Sequence, residues 1–512
     1  MELILIIGAV VVFFYFKAKF KQGYEQGKVE SAAKLAKEGY KPWGKSWGQE
    51  YGSAYFMTPE QIHDAGIGYL GQSFGDRLHN YKVDFLMLGA TFFKEQMSAN
   101  TFEQPGHLLT LAPTRSGKGV GLVVPNLLTY EGTVIVNDIK GENHAITARR
   151  RRVMKQEVLK FAPFDDDSHC WNPFDEIDNG EDAWEDARTL AELLIASNSN
   201  GDEFWQNEAR NLLSGVILYV HTSKPKDERN IATVRHLLTQ GKEETEELLA
   251  EMGMSKETLV QRASDAFSRA DDKVKANIFS TLNEQMSIWD SPRLQKIMGS
   301  SDINFKAAKE KPTSIFFCIP PDRLSSYSTV VRLFMGLALN SMTKNQTKPD
   351  IPVLFMLDEF PALGRVKAVE EGIAFLAGYG VRLWLFAQDL KQLAHAYGEK
   401  TQSIVANCAV KQFFGVADYE TAKLASHMCG DTTIPTISYS SDNGVLLENG
   451  GASFAGGSRP LLSPDEIMSR EPHLQLIFYQ GQKPVSGRRL NYLEEQMFVN
   501  ENGPIFDPNP FH

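Results

Sequence analysis

"HLLTLAPTRSGKGVGLVVPNLL", residues 107–128, decides the fold. "HLLTL" is a short apolar run of the kind that forms a buried strand. "APTRSGKG" is a turn of small residues, and "VGLVVPNLL" opens a helix. A strand, a tight turn with free N–H groups and a helix start form a cradle for a phosphate. The phosphate-loop pattern is G-x-x-x-x-G-K-[ST]. Two positions differ here: Ala112 replaces the first glycine, and Gly119 replaces the serine or threonine. Gly117 lets the backbone approach a phosphate, and Lys118 supplies a point charge for the β- and γ-phosphates. The candidate cofactor-binding residues are Thr114, Arg115, Ser116, Gly117, Lys118 and Gly119.

A second element lies far downstream. "VLFMLDEF" (353–360) places Asp358 and Glu359 at the end of an apolar run. An acid there holds Mg²⁺ directly or through water, and its neighbour orients and polarises an attacking water. Gln388 ends the next run, "VRLWLFAQ" (381–388), where an amide is placed to sense a γ-phosphate. Alone, the acid pair would read as a helix cap. With Lys118 upstream on its own strand, loop and helix start, it reads as half of a nucleotide site. The catalytic candidates are therefore Lys118, Asp358, Glu359 and Gln388, with Asp358 as the metal ligand and ATP and Mg²⁺ as cofactors. Gly119 has no side chain to offer a metal. Ser116, Thr114 or a water-mediated Asp358 remain open as its substitute.

Seven short apolar runs read as strands buried on both faces of a parallel sheet. They are "HLLTLAPT", "GTVIVNDI", "EVLKFAPF", "TSIFFCIP", "PVLFMLDEF", "VRLWLFAQD" and "CAVKQFFG". Helical patterns such as Ser328–Thr343 and Val366–Ala377 separate most of them, which gives a doubly wound α/β body. Residues 181–300 lack strand-like runs and are rich in Ala, Leu, Glu, Lys and Arg at helical spacing. They read as an all-α domain inserted into a nucleotide-binding domain whose two parts are 71–180 and 301–498. "SSDNGVLLENGGASFAGGSRP" (440–460) reads as a long mobile loop, and residues 499–512 as a C-terminal tail without periodicity.

The chain opens "MELILIIGAVVVFFYFKAKFKQ". Leu3 to Phe16 is uncharged and nearly all apolar, short for a span of about 20 residues but extended by lysines that snorkel. Lys17, Lys19 and Lys21 follow the run and only Glu2 precedes it, which predicts a cytoplasmic body. Residues 1–20 read as a single transmembrane anchor and 21–70 as a juxtamembrane stem. A signal peptide would carry its cations before the run.

The chain has 512 residues and a net charge of −11, which excludes nonspecific coating of nucleic acid by a basic surface. Its four cysteines (170, 318, 408 and 429) are far apart and form neither a disulfide framework nor a zinc pattern. Four consecutive arginines, Arg149 to Arg152, read equally as a phosphate-contacting patch or a solvated helix face. Asp138 and Lys140 stand where a sheet edge meets ligands, or in a structural turn. Asp165 to Asp167 read as a solvated loop. Arg365 and Arg382 are the arginines available to a neighbouring subunit's nucleotide, although a surface ion pair is the plainer reading of each.

The ordered blocks resemble the type IV secretion coupling proteins of the TraG-like conjugation ATPase family. The blocks include "YGSAYFMTPEQI" (51–62), "HLLTLAPTRSGKGVGLVVPNLLTYEGTVIVNDIKGEN" (107–143), "FAPFDDDSHCWNPFDEI" (161–177) and "FWQNEARNLLSGVILYV" (204–220). "LFMLDEFPALG" (354–364), "AQDLKQL" (387–393) and "RPLLSPDEI" (459–467) follow. In this branch the loop commonly reads G-K-G, so Gly119 is expected. The resemblance implies a RecA-like P-loop nucleotide-binding domain with an inserted all-α domain. It implies anchoring in the bacterial inner membrane and assembly as a homo-hexamer with nucleotide at the subunit interfaces. The implied partners are type IV secretion channel components, with either relaxase and single-stranded DNA or effector proteins as cargo. The family has two membrane helices, whereas this chain shows one short apolar segment. Two functions follow: an ATP-driven motor for conjugative transfer, or a receptor for protein effectors that hydrolyses little.

Overall fold

The computed structural model describes residues 52–70, 83–93, 96–195, 203–439 and 452–511. The predicted anchor and most of the predicted stem lie outside the described residues. Among the described residues no helix is long and apolar enough to cross a membrane.

The strands in chain order are β1 (Gly68–Leu70), β2 (Leu86–Phe93), β3 (Gln96–Phe102), β4 (His107–Leu111), β5 (Val134–Asn137), β6 (Glu157–Phe161) and β7 (Thr313–Phe317). They continue with β8 (Val353–Leu357), β9 (Val381–Ala387), β10 (Cys408–Phe413), β11 (Asp431–Tyr439), β12 (Ala452–Pro460), β13 (Leu474–Tyr479), β14 (Val485–Arg488) and, in the predicted tail, the antiparallel pair β15 (Val499–Asn500) and β16 (Gly503–Pro504). The chain divides into two units: residues 1–55 with 429–463, and residues 56–428 with 464–512.

The larger unit is built on one 12-stranded sheet, ordered β1-β3-β2-β14-β13-β10-β4-β9-β8-β5-β7-β6. From β10 to β6 every pairing is parallel, and these seven strands are the seven apolar runs read from the sequence. From β10 to β1 every pairing is antiparallel. A buried polar chain crosses the junction. The Trp384 indole donates to Thr110 Oγ1 (2.9 Å), which donates to Gln412 Oε1 (3.1 Å), and Gln412 Nε2 donates to Gln475 Oε1 (3.2 Å). Fully paired networks of this kind specify one register, because a slip would leave buried polar atoms orphaned.

Residues 59–70, expected in a stem, build into this unit. Thr58 caps the helix Pro59–Asp64 with a reciprocal Gln61 contact, Ile62 and Ile67 are buried, and β1 pairs with β3. Between β6 and β7 no strand occurs among the described residues. The helices there include Ala183–Leu194, Glu203–Ser223, Ile231–Leu238, Lys242–Gly253, Thr258–Ser268 and Asp272–Met286. Asn230 and Asp271 accept from Thr233 N (2.9 Å) and Val274 N (2.8 Å), caps worth about 1 kcal/mol each. Gly215 allows the long helix to approach Ala263: a Cβ at Gly215 would lie 2.3 Å from Ala263 Cβ. The helix Ala183–Leu194 returns to the sheet body by packing Leu193 on Gly336 of the helix Ser328–Lys344.

The smaller unit shows β11 and β12 as an antiparallel pair, with Ser53 bridging to Thr432. The part of the predicted mobile loop that is described, from Ala452, is therefore strand. Residues 440–451 lie outside the described residues.

Candidate functional site

In an open α/β sheet, ligands bind at the carboxyl ends of the parallel strands, where neighbouring connections diverge. Here β9 lies between β4 and β8, and the three carboxyl ends carry the predicted loop, Asp358 with Glu359, and Gln388. Ala112 N–H donates to Ala387 O (3.0 Å), which holds β4 and β9 in register up to the loop. The turn then closes on itself. Ser116 N–H and Oγ both donate to Pro113 O (3.3 and 2.6 Å), so this hydroxyl is already engaged. Arg115 (φ 61°) and Gly117 (φ 87°) adopt left-handed conformations, and Thr114 and Arg115 are exposed. Beyond Lys118 the helix starts with a wide turn, in which Val124 N–H reaches Gly119 O. A Cβ on Gly119 would meet nothing within 4 Å.

Lys118 is buried although charged, and its partners explain how. Its ammonium donates to Ala112 O (2.8 Å) and Pro113 O (3.4 Å) and lies 3.2 Å from Glu359 Oε1. The other Glu359 oxygen accepts from Gln388 Nε2 at 3.1 Å. Lys118, Glu359 and Gln388 thus meet through one carboxylate. Glu359 is itself left-handed (φ 51°), a conformation that costs a non-glycine residue about 1–2 kcal/mol. Backbone strain of this kind concentrates at functional sites.

Asp358 sits one residue back, with its carbonyl held by Asn137 Nδ2 at 2.6 Å. Burial pushes its carboxyl up to about 6, the Glu359 charge adds to this, and Lys118 pulls the other way. At the end of β5, Asp138 is pushed up to about 7, first by burial. Its oxygens accept from Asn143 N (3.2 Å) and His144 N (2.8 Å), so it caps the helix Glu142–Val153. Asn137 was missed in sequence, because nothing local links it to Asp358. Arg489 was missed for the same reason: its Nη1 lies 2.3 Å from where a Gly117 Cβ would be, and its guanidinium stacks 4.7 Å from the Phe414 ring.

A desolvated acid pair met by a single ammonium is short of positive charge. The turn 114–119, the ammonium and the acid pair therefore fit a magnesium-bound nucleotide. Ser116 is spent on Pro113, and Gly119 faces open space.

Other sequence candidates resolve differently. Arg382 is 1 % exposed, donates to Glu103 O and Gln104 O, and packs on Phe102, so it is no surface ion pair and cannot reach a neighbouring subunit. Arg365 is exposed and forked onto Glu370 (2.7 and 2.9 Å). The arginine run is largely structural. Arg151 is buried and bonds Leu127 O, Tyr130 O, Gly132 O, Gln156 and Ser314, while Arg150 donates to Leu128 O and Arg149 to Asp507. Asp165 and Asp167 pair with Lys160 (2.9 and 2.7 Å).

The comparisons follow this geometry. The chain is 32% identical over 406 residues to Protein VirD4 of Rhizobium rhizogenes, covering 77% of this chain and 59% of that protein. It is 31% identical over 436 residues to the conjugal transfer protein TraG of Escherichia coli, covering 77% of this chain and 68% of that one. The chain thus spans about three-fifths of the length of the VirD4 relative. Among solved structures, the bacterial conjugative coupling protein TrwBdeltaN70 superposes with a TM-score of 0.61 at 16% identity, over 79% of this chain and 88% of that one. Plasmid coupling protein TrwB in complex with ADP and Mg²⁺ gives 0.59 at 15% identity, over 78% and 88%. These likenesses show the fold, an α/β body built on a mixed sheet. The profile described as "Type IV secretory system Conjugative DNA transfer" matches residues 75–506, a span that contains the loop, the acid pair and Gln388, and the chain belongs to that family.

Proposed function

We propose that the chain is a membrane-anchored ATPase coupling protein that recruits relaxase-bound single-stranded DNA to a type IV secretion channel and drives its transfer. The observation that carries this reading is the meeting of Lys118, Glu359 and Gln388 at the ends of β4, β8 and β9. Family membership supports the transfer role, and TrwB, solved with ADP and Mg²⁺, is a relative in fold.

In this reading the backbone of 114–119 and the Lys118 ammonium hold the phosphates of ATP, and Asp358 holds Mg²⁺. Bound magnesium neutralises phosphate charge and polarises the terminal phosphoryl group. The chain supplies the rest. Glu359 orients a water and accepts its proton. Gln388 holds the second Glu359 oxygen, so any movement of that carboxylate is felt at the end of β9. The segment 1–20 anchors the protein in the inner membrane by a single pass, with the body in the cytoplasm. The helical stretch 181–300 is an inserted domain facing the cargo, and copies of the chain form a hexameric ring.

The test is ATP hydrolysis by the full chain with and without single-stranded DNA, beside Lys118→Ala and Asp358→Ala. Strong stimulation that both substitutions abolish is expected. Unstimulated, slow hydrolysis together with normal effector binding would replace the motor by a substrate receptor.

A further inference from the structure

A cavity of about 590 Å³ lies in the helical stretch between β6 and β7, within the range of small-molecule sites. It shares no residue with the phosphate loop. Its walls come from the starts of the helices Ala183–Leu194 and Thr258–Ser268 and from the last turns of Glu203–Ser223. Arg229, Glu181 and Glu257 border it, and these opposite charges do not pair with one another. Arg229 Nε donates to Lys224 O (2.9 Å), while its terminal nitrogens donate to nothing among the described residues. Glu257 stands at the N-cap of its helix without capping it, and neither it nor Glu181 forms an ion pair among the described residues. His221, 6 % exposed, also lines the cavity. Its Nε2 lies 3.2 Å from Asn179 Oδ1, and its Nδ1 has no partner among the described residues. Burial, and after it the Arg229 charge, hold this imidazole below its ordinary pKa, so the ring adds no charge.

An unpaired guanidinium and two unpaired carboxylates around one cavity suit a ligand that carries both charges. A carboxylate forks onto an arginine, and an ammonium donates to acids. Trp184 adds a flat apolar surface on which an aromatic ring packs. We propose that this cavity binds a free aromatic α-amino acid, with its carboxylate on Arg229, its ammonium at Glu181 and Glu257, and its ring against Trp184. A ligand so placed braces three helices of the stretch 181–300. One of them, Ala183–Leu194, packs Leu193 on Gly336 of the sheet body. The proposal stands whether or not the turn 114–119 holds a nucleotide.

The test is calorimetry on the full chain with L-phenylalanine as the probe. Three analogues each lack one feature: phenethylamine the carboxylate, hydrocinnamate the ammonium, and L-alanine the ring. Each is expected to bind at least about tenfold more weakly, the loss of one charge-assisted hydrogen bond or one good aromatic contact. Arg229→Gln should bring phenylalanine down to the affinity of phenethylamine. Glu257→Gln, at an exposed position, should narrow the gap between phenylalanine and hydrocinnamate. Should Arg229→Gln fail to fold, the analogues on the unaltered chain still decide. No binding of phenylalanine at millimolar concentration, equal affinity for all four probes, or full phenylalanine affinity in both variants overturns the proposal.

Discussion

Glu359 Oε1 lies 3.2 Å from the Lys118 ammonium, and the pair joins two strand ends far apart in sequence. An ion pair this enclosed contributes little net stability, since desolvating both charges offsets their attraction. Its value is preorganisation: each group is already where a nucleotide needs it. Glu359→Gln keeps the shape of the side chain and one acceptor oxygen, enough for Lys118 or Gln388 but not for both, and loses the base. ATP affinity should stay within about threefold while hydrolysis falls by about 100-fold, the usual size of a lost general base. Lys118→Ala should instead lose affinity. Binding and phosphate-release assays on the two variants separate these effects, and wild-type hydrolysis by Glu359→Gln would remove the assigned role.

Glu176 makes a pH prediction. It is 8 % exposed, and burial pushes its carboxyl up to about 7, against the opposing charge of Lys306 and the neighbouring Ser341 hydroxyl. A native value raised above the unfolded one means that the folded chain holds the proton more tightly. The penalty is absent below about pH 4.5, grows as pH rises and is complete above pH 7. Glu176→Gln should therefore stabilise the fold at pH 8 by about 2 kcal/mol, with the gain shrinking to nothing near pH 4. Denaturant midpoints at the two pH values measure it. A gain independent of pH would mean that the carboxyl is not desolvated.

Arg151 tests what became of the arginine run. Its guanidinium reaches three carbonyls and two side chains around β5 and β7. Arg151→Ala leaves those acceptors buried and unpaired, and should destabilise by about 3–5 kcal/mol. Arg152→Ala, on an exposed position of the same helix, should cost less than about 0.5 kcal/mol. Unfolding of the two variants gives the comparison. Equal small effects would restore the reading of the run as a solvated patch.

The parallel half of the sheet is legible in sequence because its strands are buried on both faces. "VLFML" is apolar throughout and "VIVN" is apolar up to its last residue, and nothing but a buried strand suits runs so short. The antiparallel half is not. β3 reads "QMSANTF", β14 reads "VSGR", and β2 shifts register between Met87 and Gly89, so their pairing depends on distant partners rather than on local pattern. The site divides in the same way. Lys118, Asp358, Glu359 and Gln388 each end a recognisable strand or loop. Asn137 and Arg489 reach the site only through tertiary packing, and Arg382 reads as a surface cation until its guanidinium is seen over the Phe102 ring. The tail looks structureless because its anchors, Arg149 and Ile146, lie on another helix.

Gly117 is the position where backbone and packing are tested together. At φ 87° an alanine is strained, and its Cβ would fall 2.3 Å from Arg489 Nη1. Arg489 is a flexible side chain, but retreat would break its bond to Pro472 O (2.6 Å) and its stack on Phe414. Gly117→Ala should cost about 1–3 kcal/mol, the sum of a left-handed backbone penalty and a displaced guanidinium. Nucleotide affinity should fall at least about tenfold, since 1.4 kcal/mol of loop distortion is enough. Arg489→Ala in the same chain removes the collision but leaves the strain. A double-mutant cycle should then show positive coupling in stability, with part of the loss recovered. Additive losses would mean that Arg489 does not press on the loop, and that φ alone demands glycine there.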